Sequence, residues 1–334
     1  MPSTYFNSSH LQRIAFRALI TLLLACILFW LGQWTPYSRD SLHMADMADS
    51  GWRVTMHSAL TSIVHRTVFI ALLPFGWDAW NALSMSSSLA GAVALQVLFA
   101  FRRNPFFLAV NVLAGSFLVF TGEVENYAWV NLFLLLTFVS IQGFLEDGAP
   151  IWPALTFFFI AALFHMLAFF YLPAVFLAMR KRPINAREFL IPFGAYMLLH
   201  FACVTLLPHE GIELSLTRLV PLFETQRKDQ WFTFFSWAHL EIKTYYHFHA
   251  GIFFLPLGWP IIIALWRRIH SPFRVFMLQC AVLGLIWNTL WHPDLGWEDW
   301  DLFSQSSIPL HFLAGDLLAD WGRTVLRFQK NTTP

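Results

Sequence analysis

Acidic and aromatic side chains are concentrated in three short segments that interrupt an otherwise apolar sequence. The first segment, SRDSLHMADMADSGW, has Asp40 just beyond a long apolar run. A carboxylate held at a membrane surface can act as a general base toward a hydroxyl group if the site excludes bulk water. The alternative reading is a solvated loop acid. Asp46 and Asp49 follow at helical spacing, which favours an exposed helix face.

The second segment, GEVENYAW, inserts two carboxylates between apolar runs. Ionisable side chains at membrane depth usually face a cavity or a partner because their desolvation is costly. In an extended chain Glu123 and Glu125 point the same way, whereas in a helix they diverge. The segment therefore predicts either a polar lining or a short solvated turn. Tyr127 and Trp129 also suit an aromatic belt at a membrane interface.

The third segment, WHPDLGWEDWDLFS, combines four acids with four aromatic residues. Its oxygen ligands suit a divalent cation such as Mg²⁺ or Mn²⁺, and they equally suit the hydroxyl groups of a sugar whose face stacks on indole rings. Interfacial tryptophans are expected in any membrane protein, so the acids carry the prediction. The candidate ligands are Asp294, Glu298, Asp299 and Asp301.

A fourth stretch, FSWAHLEIKTYYHFHAG, offers imidazole and ammonium groups as ligands. His239, Glu241, His247 and His249 do not have the spacing of a known metal site. A cationic side chain could instead bind a phosphate group at the membrane interface. Candidates for that role are Arg53, Arg66, Lys228 and Lys243.

The composition predicts that these segments are positioned by membrane helices. Hydrophobic residues make up 57% of the 334-residue chain, charged residues 12%, and the mean hydropathy is +0.55. A net charge of +1 argues against a nucleic-acid partner, because such proteins concentrate cations to neutralise phosphates. Cys26, Cys203 and Cys280 lie within apolar runs and are interpreted as small hydrophobic residues.

Hydropathy and charge together predict about ten crossings of the membrane. A span needs about 20 apolar residues, and Lys and Arg collect on the cytoplasmic side. The first span is bulky to its end and lacks a small-residue cleavage site, which predicts an anchor and not a cleaved signal peptide. The predicted spans are 14–34, 80–101, 105–121, 127–145, 151–165, 168–179, 189–207, 251–266, 273–291 and 308–321.

Treating 151–179 as two short legs that bend between His165 and Pro173 keeps the basic clusters on one side. Fourteen of the 21 Lys and Arg residues are then cytoplasmic, as are both termini. Fifteen of the 20 acids fall on the other face, in loops that include the long external segments 35–77 and 208–250. The first of these carries an apolar stretch interrupted by His57, His65 and Arg66, which suits an interfacial helix. The chain is thus predicted to be one transmembrane domain, 1–334, in a bacterial inner membrane.

The run from Asp40 through ADMADSGW, then HSAL and PFGWDAWNALSMSSSLAGAVALQVLF, together with GEVENYAW, resembles the glycosyltransferase C superfamily. The resemblance covers about the first 180 residues. It implies an all-α bundle with interfacial helices in the first external loop. It further implies transfer of a sugar from a polyprenyl-phosphate carrier to a glycan, lipid or protein acceptor. On this resemblance Asp40 is the base, Glu125 and Tyr127 line the cavity, and His57, Arg66 or Lys243 binds the carrier phosphate.

The sequence departs from the superfamily pattern in three ways. The distance from Asp40 to SGW is short, Ser41 stands where a second acid is usual, and DWDLFS has no counterpart. The first departure leaves Asp46 and Asp49 as rival bases. The alternative function is a non-catalytic protein or a lipid or polysaccharide transporter, although the sequence shows no repeat or broken helix of the kind transporters carry. An intramembrane protease is disfavoured, since no nucleophile and base pair lies in the spans.

Overall fold

The protein is described by a computed structural model that covers residues 8–33, 39–51, 54–124, 126–210, 219–225, 230–249, 255–293 and 300–332. For residues 8–12, 39–40, 209–210, 247–249, 255–257 and 327–332 the description is limited to the backbone.

Helices account for almost all regular structure in the described residues, which confirms the predicted all-α class. The α-helices are α1 Ser8–Gly32, α2 Arg39–Ser50, α3 Ala59–Leu72, α4 Ala79–Phe101, α5 Pro105–Val112, α6 Tyr127–Glu146, α7 Trp152–Phe164, α8 Leu172–Met179, α9 Ala186–Leu206, α10 Trp237–His249, α11 Leu255–Ala264, α12 Pro272–Leu290 and α13 Trp300–Thr332.

Two short strands connect the long loops to each other. β1, Val54–Thr55, pairs in parallel with β2, His209–Glu210, so that Val54 lies opposite His209. The loops predicted to share one face of the membrane, 35–77 and 208–250, therefore meet at one end of the bundle.

Among the described residues, five helices are long and apolar enough to cross a membrane, and the chain is therefore an integral membrane protein. Their spanning segments are Arg13–Gly32, Ala79–Phe101, Tyr127–Glu146, Ala186–Leu206 and Pro272–Leu290. Shorter apolar helices cover Ala59–Phe75, Trp152–Phe164 and Met166–Met179. The count of ten crossings remains a prediction.

Two of the described helices, α5 and α12, begin directly after a polar side chain that caps them. Asn104 Oδ1 accepts hydrogen bonds from the N–H groups of Phe106 and Phe107, and Ser271 Oγ accepts one from Arg274. In both cases proline occupies the first helical position after the cap. A residue at that position has no acceptor for its N–H within the helix, so proline, which has no N–H, loses no hydrogen bond there. These local signals explain why α5 and α12 begin where the sequence predicts.

The prediction of one continuous helix over 105–121 is wrong, because the helix is interrupted after Val112. Helix α5 ends at Val112, Ala114 is extended, and a 3₁₀ helix runs over Gly115–Phe120. Hydropathy alone missed the interruption, because the break lies among apolar residues and contains no proline. The chain thus carries a broken helix, which the sequence did not reveal.

The two short legs over 151–179 form the predicted hairpin. Helix α7 ends at Phe164, His165 is extended with φ −159° and ψ 130°, and a 3₁₀ helix over Met166–Tyr171 leads into α8. After α8, Arg182 donates hydrogen bonds to the carbonyl oxygens of Phe144, at 2.6 Å, and Gly148, at 3.4 Å. Because those carbonyls lie in the last turn of α6 and in the turn that leads into α7, the chain has returned to the end from which α7 starts.

Arginines from separate loops meet at one end of the bundle, which we call the basic end. Asp316 of α13 pairs with Arg102 at 2.5 Å and with Arg274 at 2.7 Å. One turn later, Asp320 pairs with Arg268, Arg274 and Arg323. The grouping agrees with the predicted clustering of these arginines on one side of the membrane.

Candidate functional site

The start of the first long loop and the GEVENYAW turn are brought together at the end opposite the basic end. Ser41, in the first turn of α2, donates a hydrogen bond from Oγ to Glu123 Oε1 at 3.2 Å. Both side chains are buried, and Glu123 is only 1% exposed. Asp40 directly precedes Ser41, although its side chain is outside the described part, as is all of Glu125.

Two glycines allow this approach at the level of the backbone. Gly32, the last residue of α1, lies against Thr121 and Gly122, and a Cβ atom on it would come within 2.7 Å of the Thr121 carbonyl carbon. Gly122 has a φ of +90°, and a Cβ there would lie 2.5 Å from Ser84 Oγ. A larger side chain at Gly32 would force the end of α1 away from the turn that carries Glu123, and one at Gly122 would force that turn away from Ser84 of α4.

We therefore expect Gly32→Ala to lower the thermal midpoint of the purified protein in detergent. Overpacking of this kind typically destabilises by about 1–3 kcal/mol, and backbone atoms cannot move aside as a flexible side chain would. Gly194→Ala is the matched control, since a Cβ on Gly194 in α9 meets nothing within 4 Å. There alanine should stabilise by roughly 0.5–1 kcal/mol, through the lower backbone entropy of the unfolded chain. Equal midpoints for the two variants would contradict the close packing at Gly32.

Two predicted ligands, His57 and Tyr127, converge on a third residue, His165. The ring centroids of Tyr127 and His165 are 5.5 Å apart, and those of His57 and His165 are 5.1 Å apart. The backbone holds the same arrangement, because the N–H of Met166 donates to the carbonyl of His57 at 2.8 Å. Thr61 Oγ1 also donates to the Phe164 carbonyl at 2.7 Å. The bend between α7 and α8 is thus fastened to the start of α3.

The contacts of His165 were not predicted from the sequence. It lies in the predicted bend and caps the following 3₁₀ helix, because Nδ1 accepts the N–H of Leu167 at 3.1 Å. An accepting Nδ1 leaves the proton of a neutral imidazole on Nε2, which is then a donor. A histidine at the break of an apolar segment is the signal that would have identified it.

The remaining predicted residues of the first loop have separate positions. Asp46 and Asp49 are exposed on α2, which confirms the solvent-facing orientation that their spacing predicts. Arg66 Nη1 donates to the carbonyl oxygens of Ala48 and Asp49 at the end of α2. This hydrogen bonding fits a cation at a helix C-terminus. A role for Arg66 in phosphate binding remains a prediction.

A second polar cluster surrounds His239 and Lys243 of α10. The ring of Phe232 stacks on His239 at 5.2 Å and on His292 at 4.2 Å. His239 Nδ1 lies 2.7 Å from the Phe234 carbonyl oxygen, and Nε2 lies 3.1 Å from that of Thr289. Burial lowers the pKa of His239 and nearby Lys243 lowers it further, whereas the two carbonyl oxygens act in the opposite direction.

Lys243 ties α10 to the end of α12. Its Nζ donates to the Trp291 carbonyl at 2.8 Å and lies 4.4 Å from the centroid of the Phe303 ring. The ammonium group is buried, so these contacts replace part of its hydration. Its predicted role as a phosphate ligand stays untested.

The acidic segment before α13 is described only at its end. Asp301 is buried in the first turn of α13, where a carboxylate interacts favourably with the helix dipole, and its Oδ1 accepts the N–H of Leu302 at 2.8 Å. The other predicted cation ligands, Asp294, Glu298 and Asp299, lie outside the described residues. The residues that are described contain no group of three or more potential metal ligands. The cation site therefore remains a prediction.

No known protein family, curated protein or solved structure matches this chain. Its function must therefore be inferred from the arrangement of its own side chains.

A line of buried polar residues along α13 was not predicted from the sequence. Helix α13 packs against α5, α6, α11 and α12. Asn131 donates from Nδ2 to Ser304 Oγ at 3.3 Å, and Tyr171 donates to the Gln305 carbonyl at 2.9 Å. The line continues through His311 to Asp316, which spans about 18 Å along the helix at 1.5 Å per residue.

The middle of this line borders a small cavity of about 30 Å³ beside the break after α5. Asn111, Ser116, Asn131 and His311 contribute its polar lining. Three buried atoms beside the cavity have no hydrogen-bond partner among the described residues. They are both ring nitrogens of His311 and the Oδ1 atom of Asn131. A cavity of this size and polarity can hold one or two water molecules. The histidine and aspartate in SQSSIPLHFLAGD were the available signal, because ionisable residues within apolar helices are rarely incidental.

Proposed function

We propose that this protein is a membrane glycosyltransferase of the glycosyltransferase C type, with Asp40 as its general base. The observation that carries the proposal is the buried contact between Ser41 and Glu123. Two segments that resemble the superfamily, separated by 82 positions, are joined by it at one end of the bundle. The acid that would serve as base immediately precedes one of the two joined residues.

The register of α2 supports the choice of Asp40 over its rivals. Position 40 shares a helical face with Met44 and Met47, at i+4 and i+7, and both methionines are buried. Asp46 and Asp49 are exposed. A general base must be removed from bulk water to be effective, and the exposed positions do not meet that requirement.

In the proposed reaction, the Asp40 carboxylate takes the proton from an acceptor hydroxyl group. The acceptor oxygen attacks the sugar carbon that is bonded to the carrier phosphate. That carbon–oxygen bond breaks, and its electron pair leaves with the polyprenyl phosphate. Transfer through one such displacement inverts the configuration at the sugar carbon.

The remaining residues have supporting roles in this proposal. Glu123 holds the start of α2 through Ser41, while Tyr127 and His165 form a wall of the sugar site. Arg66 and Lys243 each donate to backbone carbonyls, whereas His57 is exposed and its ring is tilted against that of His165. Of the three predicted phosphate ligands, His57 is the one best placed to meet an incoming carrier. A divalent cation, if required, would be held by the acids between 294 and 301.

The proposed setting is a bacterial inner membrane with ten crossings, both termini in the cytoplasm and the site on the external face. A polyprenyl-phosphate donor is itself a membrane lipid. It can reach such a site from within the bilayer.

The experiment uses the full chain in lipid nanodiscs with undecaprenyl-phosphate-mannose and undecaprenyl-phosphate-aminoarabinose as donors. We expect release of undecaprenyl phosphate, with water taking the place of the acceptor hydroxyl and receiving the sugar. The release is followed by mass spectrometry with and without Mg²⁺ or Mn²⁺. Failure of both donors to react or to bind would contradict the proposal.

The polar line along α13 favours a second candidate, a proton-coupled transporter. Helix α5 is broken beside the buried His311 and a small cavity that a few polar side chains help to line, and broken helices and buried ionisable residues are features of membrane transport proteins. Vesicles containing the protein should then show dye-detected proton uptake that His311→Phe removes. Proton uptake no faster than in empty vesicles would exclude this candidate without bearing on the glycosyltransferase.

A further inference from the structure

A long apolar groove lies between α7 and α9, away from both polar clusters. It has a volume of about 510 Å³, within the range of sites that bind small molecules. Its α7 wall includes Thr156, Phe159 and Leu163, and its α9 wall includes Pro192 and Tyr196. Almost all of this lining is hydrocarbon or aromatic, so its occupant must be apolar as well.

The groove has the length of one leaflet. It starts at Trp152 and Arg187 and reaches Leu163 and Leu199. At 1.5 Å per residue, these stretches of α7 and α9 are about 16–18 Å long, a little over half the roughly 30 Å hydrocarbon thickness of a bilayer. One acyl chain entering from one side of the membrane therefore matches its depth.

The gap between the two helices has a local cause. Pro192, inside α9, removes one backbone hydrogen bond and crowds the carbonyl four residues earlier. Ala195 and Thr156, small residues on facing walls, leave the space unfilled. Helix α9 is otherwise mostly exposed, with 11% of its spanning window buried, so lipid surrounds it on its outer side.

The mouth of the groove carries an arginine. Arg187, in the first turn of α9, is exposed, and no ion pair involves it within the described part of the chain. Arg180 and Lys181, also exposed, precede it in the turn after α8. Glu188 is the one acid among the residues that line the groove. The segment from 180 to 188, which also contains Arg182, has a net charge of +3.

The mouth of the groove lies at the end of the α7–α8 hairpin where α7 starts. Arg182 binds the carbonyl oxygens of Phe144 and Gly148, next to the start of α7. An apolar slot of one-leaflet depth, with an arginine at its mouth, is complementary to one class of molecule. Basic pockets between membrane helices bind anionic lipid headgroups in this way.

We propose that the groove binds an anionic phospholipid from the leaflet at the basic end. One acyl chain lies in the groove along the stacked rings of Phe159 and Tyr196, whose centroids are 5.6 Å apart, and the headgroup phosphate contacts the Arg187 guanidinium. This lipid is distinct from the sugar carrier, whose proposed site is at the opposite end. The inference does not rest on the proposed function.

The test titrates the full chain in detergent with phosphatidylglycerol, with phosphatidylcholine of the same acyl chains, and with inorganic phosphate. Bound lipid is counted by native mass spectrometry, and the thermal midpoint is recorded in parallel. Phosphatidylglycerol should bind at one saturable site and raise the midpoint, whereas phosphatidylcholine should bind more weakly. Inorganic phosphate should have no effect, since it lacks the chain that fills the groove.

Three variants separate the headgroup from the chain. Arg187→Gln should weaken phosphatidylglycerol binding about fivefold, as expected for one basic group at an anionic lipid surface. Ala195→Phe should abolish the saturable site by filling the groove, and Thr156→Phe should do the same from the opposite wall if the first variant does not fold. Arg267→Gln is the control, because Arg267 is also an exposed arginine but lies outside the groove.

Three results would overturn the proposal. If Arg187→Gln and Arg267→Gln weakened phosphatidylglycerol binding equally, the lipid would be attracted to the basic loops in general and not to the groove. Unchanged binding in both groove-filling variants would show that no acyl chain enters. A midpoint increase with inorganic phosphate equal to that with phosphatidylglycerol would indicate a phosphate site without a lipid.

Discussion

Asp40→Asn should reduce turnover of a polyprenyl-phosphate sugar by about 10²–10⁴-fold while leaving the protein folded. An asparagine keeps the size of the side chain but cannot accept the acceptor proton, and a positioned base contributes a rate factor of this order. The change is measured as release of undecaprenyl phosphate in nanodiscs. The thermal midpoint and the elution volume report whether the fold is intact.

The chain provides matched controls for this change on the same helix. Asp46→Asn and Asp49→Asn remove the same charge from exposed positions of α2, and both variants should retain near-normal turnover. Retained turnover in Asp40→Asn would overturn the base assignment. A loss confined to Asp46→Asn or Asp49→Asn would move the assignment to that residue and leave the glycosyltransferase proposal in place.

Asp316→Asn should be the most destabilising single change at the basic end, by about 3–5 kcal/mol. The Asp316 side chain is 5% exposed and balances Arg102 and Arg274, which are 20% and 15% exposed. Removing its charge leaves two arginines together with no full counter-charge, and the loss of one partner from a buried pair costs this much. The unfolding free energy in mixed detergent micelles is the measurement.

Asp320→Asn is the control for that prediction. Asp320 is 30% exposed and pairs with Arg268, Arg274 and Arg323. Solvent screens such pairs, so the expected change is at most about 1 kcal/mol. Similar effects of the two substitutions would show that the charge at Asp316 is not the element that holds α4, α12 and α13 together.

The local elements were largely predictable because their signals are local. Asn104–Pro105 and Ser271–Pro272 place an acceptor and a preorganised residue at the start of a helix, whatever surrounds them. The hairpin over 151–179 was predicted from the positions of the basic residues. The basic cluster at 180–187 can lie on the same side of the membrane as Arg102 only if the chain crosses twice over 151–179. The apolar stretches also identified all five of the long spanning helices.

The break after Val112 was not predictable from hydropathy. Residues 105–121 are apolar on both sides of it, so a window average cannot distinguish a continuous helix from a broken one. The interruption lies where the chain borders Asn111, Ser116 and His311, which no window of sequence brings together. In a membrane helix the lipid-facing and core-facing surfaces are both apolar, so periodicity gives little information on packing.

The sequence by itself determined the membrane setting, the positions of the long apolar helices to within a few residues and the concentration of acids in the loops. These features depend on composition and on interactions within a few residues. Only the tertiary structure decided that Ser41 meets Glu123, that His57 and Tyr127 converge on His165, and that α13 carries a polar line to Asp316. Those pairs are separated by tens of residues or more, and hydrogen bonds and ring contacts over such separations leave no local pattern by which they could be predicted.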